Sequence, residues 1–244
     1  MSPELVGLTA IVAVGFTVQS TVGFGAMLTC LTLGAQWLPI DDLLPQLIPL
    51  SMLQAVALMA RYGQVAWTTL LQVVLPLAAV GLVGGIALRT GLSVDLRPVL
   101  GLVVLALATR ELWRGPQAEP PPPAARHAAF LGAGLLQGLF ATGGPPLVWG
   151  LASAGLPKTA FRSTLVGALA GMNVGLMASF GWQGQLDAAT AWGTAWLVVP
   201  MVAGTWLGDR LHHHVDESRF RQAVWVLLAA GAVPLLLRGG GLLR

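Results

Sequence analysis

Charged positions divide this chain into long apolar intervals. Glu4 and Asp41 enclose 36 uncharged residues, Asp42 and Arg61 enclose 18, Arg61 and Arg89 enclose 27, and Arg97 and Arg110 enclose 12. After a proline-rich stretch from Arg114 to Arg126 the pattern resumes. It gives 31 residues between Arg126 and Lys158, 24 between Arg162 and Asp187, 21 between Asp187 and Asp209, and 16 between Arg221 and Arg238. About 20 helical residues cross a hydrocarbon core, so most intervals predict one crossing, and snorkelling Arg ends extend the 12-residue interval. Intervals 5–40 and 128–157 are too long for one. Thirty-six helical residues would run roughly 54 Å, against a core of about 30 Å. Each holds a breaker near its middle, Gly23-Phe24-Gly25 in the first and Gly143-Gly144-Pro145-Pro146 in the second. Both read as hairpins: one helix in, a break, and a shorter helix back.

The two hairpins occupy matching places. A shift of 118 lays Gln19 on Gln137, Gly25 on Gly143 and Pro39 on Pro157; a shift of 124 lays Pro76 on Pro200, Gly84 on Gly208 and Arg97 on Arg221. The pattern predicts an internal duplication: an N-terminal membrane repeat over 1–113, a cytoplasmic linker over 114–126 built on Pro120–Pro123, and a C-terminal membrane repeat over 127–244. Each copy holds a broken-helix hairpin plus three spans, about five membrane segments, and an odd number inverts the second copy. The expected fold is an all-α polytopic membrane protein of two inverted repeats, with eight full spans if the hairpins are re-entrant. With the linker inside, Arg61, Arg110, Arg114, Arg126, Lys158, Arg162, Arg210, Arg219 and Arg221 face the cytoplasm, and Arg89, Arg97, Arg238 and Arg244 face outward. That asymmetry follows the positive-inside rule, which a model with one span per long interval does not.

Composition narrows the classes. Only 9% of the 244 residues are charged and 55% are hydrophobic, with a mean hydropathy of +0.75, so a soluble enzyme is excluded. The pI near 10 comes from scattered arginines at segment ends, and no nucleic-acid partner is expected. Cys30 is the single cysteine, so no intramolecular disulfide forms. Every carboxylate and histidine falls at a segment end or in a loop, which leaves no proton relay, nucleophile–base pair or metal site at depth. His212-His213-His214 reads as a polar helix end. No enzyme activity, cofactor or metal is expected.

The interior holds glycines, breaks and neutral polar groups instead. A broken helix presents backbone N–H groups and a positive dipole end at the start of its second piece, which attract an anion without a buried cation. Candidate substrate-binding residues are Gln19, Ser20, Thr21, Gly23, Phe24 and Gly25 at the first break, with Gln137, Thr142, Gly143, Gly144 and Pro145 at the second and Asn173 in the segment that follows. Lys158 and Arg162 lie at the cytoplasmic mouth. Since no Lys or Arg lies deep in a segment, two helix ends, each about half a charge, would best balance a monoanion. Gly81, Gly84, Gly85, Gly132 and Gly134 read as helix-packing contacts, and the tryptophans near segment ends as an interfacial belt.

Gln19-Ser20-Thr21-Val22-Gly23-Phe24-Gly25, Gly143-Gly144-Pro145-Pro146 and Leu156-Pro157-Lys158-Thr159-Ala160-Phe161-Arg162-Ser163-Thr164, with the Pro200–Gly208 segment, resemble the sulfite exporter TauE/SafE family, also described as four-toluene sulfonate uptake permeases. At the first break Ala26-Met27 stand where the family pattern tends to carry further glycines. The resemblance implies a multi-pass carrier of the bacterial inner (cell) membrane for sulfite, sulfonates or related organic anions. Its partners would be a small anionic substrate and the bilayer; a homodimer stays open. A drug/metabolite-type exporter and a passive anion channel remain as alternatives.

Overall fold

The computed structural model describes residues 3–91, 95–114, 122–212 and 216–239. Among these, all regular structure is helical, in ten helices: α1 (Pro3–Val22), α2 (Ala26–Gly34), α3 (Ile40–Tyr62), α4 (Trp67–Gly91), α5 (Arg97–Arg114), α6 (Pro123–Phe140), α7 (Gly144–Ala152), α8 (Lys158–Trp182), α9 (Ala188–His212) and α10 (Glu217–Gly239). Both long intervals fold as a long helix, a break and a nine-residue helix. Four helices are long and apolar enough to cross a membrane: Ile40–Arg61, Trp67–Gly91, Lys158–Trp182 and Arg219–Leu237. That count is of the described residues; α1 adds a shorter apolar run over Val6–Val22. Residues 115–121 of the expected linker, and His213 and His214, lie outside the described residues. Pro123–Arg126, expected to be linker, instead opens α6. Proline suits a first helical turn because its fixed φ is already helical and its missing N–H would have no partner there.

The chain forms two compact units, each drawing on both halves of the sequence: Met1–Leu44, Ser93–Ala118 and Ala195–Arg244 in one, Pro45–Leu92 and Glu119–Thr194 in the other.

In the first unit α1 lies directly on α9. Thr17 Oγ1 donates to Gly204 O at 3.0 Å and Thr21 Oγ1 to Gly208 O at 3.1 Å. A Cβ at Gly204 or Gly208 would collide with the carbonyls of Ala13 and Thr17. Small residues four apart let two backbones touch, and dispersion with interhelical hydrogen bonds then replaces a hydrophobic drive that lipid cannot supply.

In the second unit α4 crosses α6 in the same way. Cβ atoms at Gly81 and Gly85 would strike the carbonyls of Leu131 and Leu135, and one at Gly134 the carbonyl of Ala78; at Gly138 it would come within 2.5 Å of Leu82 O. Three of the five glycines expected to pack (Gly81, Gly85 and Gly134) do so. Gly84 meets only a Leu135 methyl at 3.8 Å and Gly132 meets nothing, because both are turned about 100° off the contact stripe. Near its start α4 widens into a π turn over Leu70–Val74. Pro76 follows; it has no N–H and its ring crowds the carbonyl four residues back, a misfit that an enlarged turn accommodates.

Trp113 and Trp182, at the ends of α5 and α8, are 87% and 94% exposed. Asp187 caps α9, accepting from the Thr190 N–H at 2.7 Å. That bond, foremost among several local ones, holds its carboxyl below the ordinary range. A lowered folded pKa gives stability present above the unfolded value of about 3.9 and lost as pH falls through the folded one. Asp187→Asn is therefore expected to flatten the acid limb of a melting-temperature profile and to leave neutral pH unchanged, since Asn also caps.

Candidate functional site

At the first break α1 ends because Gly23 (φ 99°) and Gly25 (φ 109°) enter the left-handed region, where only glycine sits without strain. Gln19, 4% exposed, folds its side chain across the gap, and its Oε1 accepts from the Ala26 N–H at 3.2 Å, capping α2. Thr29 N–H is taken by Gly25 O. The N–H groups of Met27 and Leu28 are the remaining first-turn donors of α2.

The second break repeats the device with different residues. Ala141 takes the left-handed conformation (φ 53°), its N–H bonded to Gln137 O at 2.8 Å. For a residue with a Cβ that geometry costs about 1 kcal/mol. Gln137, 1% exposed, caps α7: its Oε1 accepts from the Gly143 N–H at 2.8 Å. Its Nε2 donates to Asn173 Oδ1 at 2.7 Å, and Asn173 Nδ2 donates to Ser51 Oγ at 3.2 Å. A buried polar chain thus ties the cap to α8 and α3, and its members fix one another's orientation. Pro145 and Pro146 have no N–H, and Leu147 N–H bonds Gly143 O. Gly144 N–H is left as the one first-turn donor of α7. Beside it Thr142, 3% exposed, carries a hydroxyl with no hydrogen-bond partner.

The candidates therefore divide. Gln19 and Gln137 are caps that hold each half-helix start in place. Thr21 is bonded to α9 and Ser20 packs there against Gly208, so both belong to the α1–α9 contact. Phe24 is half-buried against Trp225, ring centroids 6.5 Å apart. Gly143 is pressed so closely on the Ala133 carbonyl that no Cβ fits. Asn173 joins Gln137 as expected. Lys158 is exposed and Arg162 half-buried, one turn apart at the start of α8.

Two residues were missed. Ser51 ends the polar chain; its position one turn from Gln54 in α3 was the available signal. Arg89 was read as a charge of the outer loop, and no deep cation was expected. It is instead 6% exposed, with its guanidinium carbon 4.5 Å from the Phe180 ring centroid. An Arg three residues from a helix end can turn inward onto an aromatic face, an outcome that hydropathy does not distinguish from snorkelling outward.

The profile of the family "Sulfite exporter TauE/SafE" matches residues 7–235. The chain is 34% identical over 183 residues to the "Probable inner membrane transporter protein TsaS" of Comamonas testosteroni, covering 72% of this chain and 74% of that one. It is 26% identical over 241 residues to the "Probable sulfite/organosulfonate exporter TauE" of Cupriavidus necator, covering 95% and 94%. No solved structure matches. With the profile spanning nearly its whole length, the chain belongs to the TauE/SafE sulfite exporter family.

Proposed function

We propose that this chain is a multi-pass inner-membrane transporter moving a small sulfur-containing anion, sulfite or an organosulfonate, by alternating access, with the two helix breaks as its substrate-binding elements. One observation carries the reading: in both hairpins a buried glutamine of the long helix caps the half-helix that follows. Non-helical backbone at membrane depth is tolerated only inside protein or beside a wet cavity. Fixing a positive helix end there suits an anion.

The inverted-repeat architecture is part of the proposal, and the two helix crossings support it. Gly204 and Gly208 meet Ala13 and Thr17; Gly81 and Gly85 meet Leu131 and Leu135. The partners differ by 131 − 13 = 135 − 17 = 118, and the glycines by 204 − 81 = 208 − 85 = 123. The near-constant offsets are what an inverted duplication with exchanged copies would give, α4 corresponding to α9 one residue from the sequence alignment. A nine-residue helix is about 13 Å long, less than half the hydrocarbon thickness, which favours re-entrant hairpins and eight full spans.

Sidedness is tested by labelling. In a Cys30→Ser background, a cysteine at Gln117 is expected to resist an impermeant maleimide applied to intact cells, and one at Gly240 to react. The reverse pattern overturns the topology. Substrate class is tested by thermal shift of the purified protein against sulfite, thiosulfate, taurine, ethanesulfonate and carboxylate analogues. Stabilisation by the sulfur oxyanions alone is expected; stabilisation by apolar or cationic solutes alone contradicts the reading.

A further inference from the structure

We propose that Arg89 supplies the positive charge of the substrate site at the second break, seating the anion between its guanidinium and the start of α7. The inference rests on the transporter reading above and adds a residue to it.

Register gives the placement. α4 and α6 run parallel, with Ala78 against Gly134, Leu82 against Gly138, and Gly85 against Gly138 and Leu139. Both helices rise 1.5 Å per residue, so Arg89, one turn beyond Gly85, stands level with Ala141–Gly143. The third wall agrees. Asn173 is bonded to Gln137, and Phe180 lies two turns further along the same face of α8, where its ring meets the Arg89 guanidinium. A planar cation is therefore buried level with the break, stacked on the Phe180 ring.

The break itself points to a ligand. Thr142 presents a buried hydroxyl without a hydrogen-bond partner, next to the one first-turn N–H of α7 that neither cap nor proline has removed. An oxyanion placed there accepts from Thr142 Oγ1 and Gly144 N–H and faces the positive helix end. A guanidinium fork adds paired N–H donors matched to two oxygens of a sulfonate or sulfite. A guanidinium beside the helix end adds positive charge to what the end alone presents. The site then accepts a dianion as well as a monoanion, which changes the monoanion preference expected from helix ends alone.

The test is isothermal titration of the full-length purified protein with ethanesulfonate and with sulfate, as monoanion and dianion probes. Arg89→Gln is expected to raise the ethanesulfonate Kd about 30-fold and the sulfate Kd further, since a charge-assisted hydrogen bond is lost. A purely structural role would weaken both alike. A folded Arg89→Gln protein with wild-type Kd for both probes overturns the proposal. A wild-type protein that binds neither probe nor sulfite overturns the transporter reading beneath it. If Arg89→Gln does not fold, Arg89→Lys decides. An ammonium keeps the charge but loses the fork and the stack, so about a tenfold rise in Kd is expected. An unchanged Kd shows that the guanidinium is not a ligand.

Discussion

Gln137→Glu is expected to lower anion transport more than 100-fold while leaving the protein folded. The glutamate keeps the acceptor that caps the Gly143 N–H, and a negative charge at a helix start is favourable. Asn173 can present its amide N–H₂ in place of its oxygen, so the polar chain survives. What changes is the field, because a tethered carboxylate now stands where the substrate is proposed to bind. Gln137→Leu separates this from a folding effect. It leaves the Gly143 N–H and Asn173 Oδ1 buried without partners, at about 1–3 kcal/mol each, and should lose melting temperature together with transport. Full transport by a folded Gln137→Glu protein would remove the second break from the site.

Gly138→Val is expected to remove nearly all folded protein. Its Cβ would lie 2.5 Å from Leu82 O, 2.7 Å from Ile86 N and 2.8 Å from Gly85 Cα, all backbone atoms that cannot turn aside. The helices must separate along the crossing, giving up dispersion contacts over several turns. Overpacking alone costs about 1–3 kcal/mol, with more when the clash is with backbone. Gly84→Ala and Gly132→Ala have room and should melt within a degree or two of wild type, as thermal unfolding of the detergent-solubilised proteins will show. Equal losses at Gly84 and Gly138 would contradict the crossing.

The apolar intervals and their breakers located both hairpins because those signals are local: charge spacing, and Gly or Pro where a helix must stop. The matched glutamines were legible for the same reason, though not their task. Whether Gln137 lines a cavity or caps a helix depends on a side chain reaching six residues along a turn whose left-handed residue is Ala141, an unlikely choice to read from sequence. Gly84 and Gly85 are neighbours in the sequence but differ by about 100° around α4, so only tertiary contact separates the packing glycine from the free one. Arg89 was hidden by its position near a helix end, where charge alone reads as solvated. Its burial depends on Phe180, 91 residues later.

The most direct test is counterflow of radiolabelled ethanesulfonate into proteoliposomes preloaded with unlabelled ethanesulfonate. An alternating-access carrier whose second break holds the anion gives a transient overshoot of label that saturates with external substrate, and Gln137→Glu abolishes it. Equilibration without overshoot, as in a passive channel, or an overshoot unaffected by Gln137→Glu, contradicts the account.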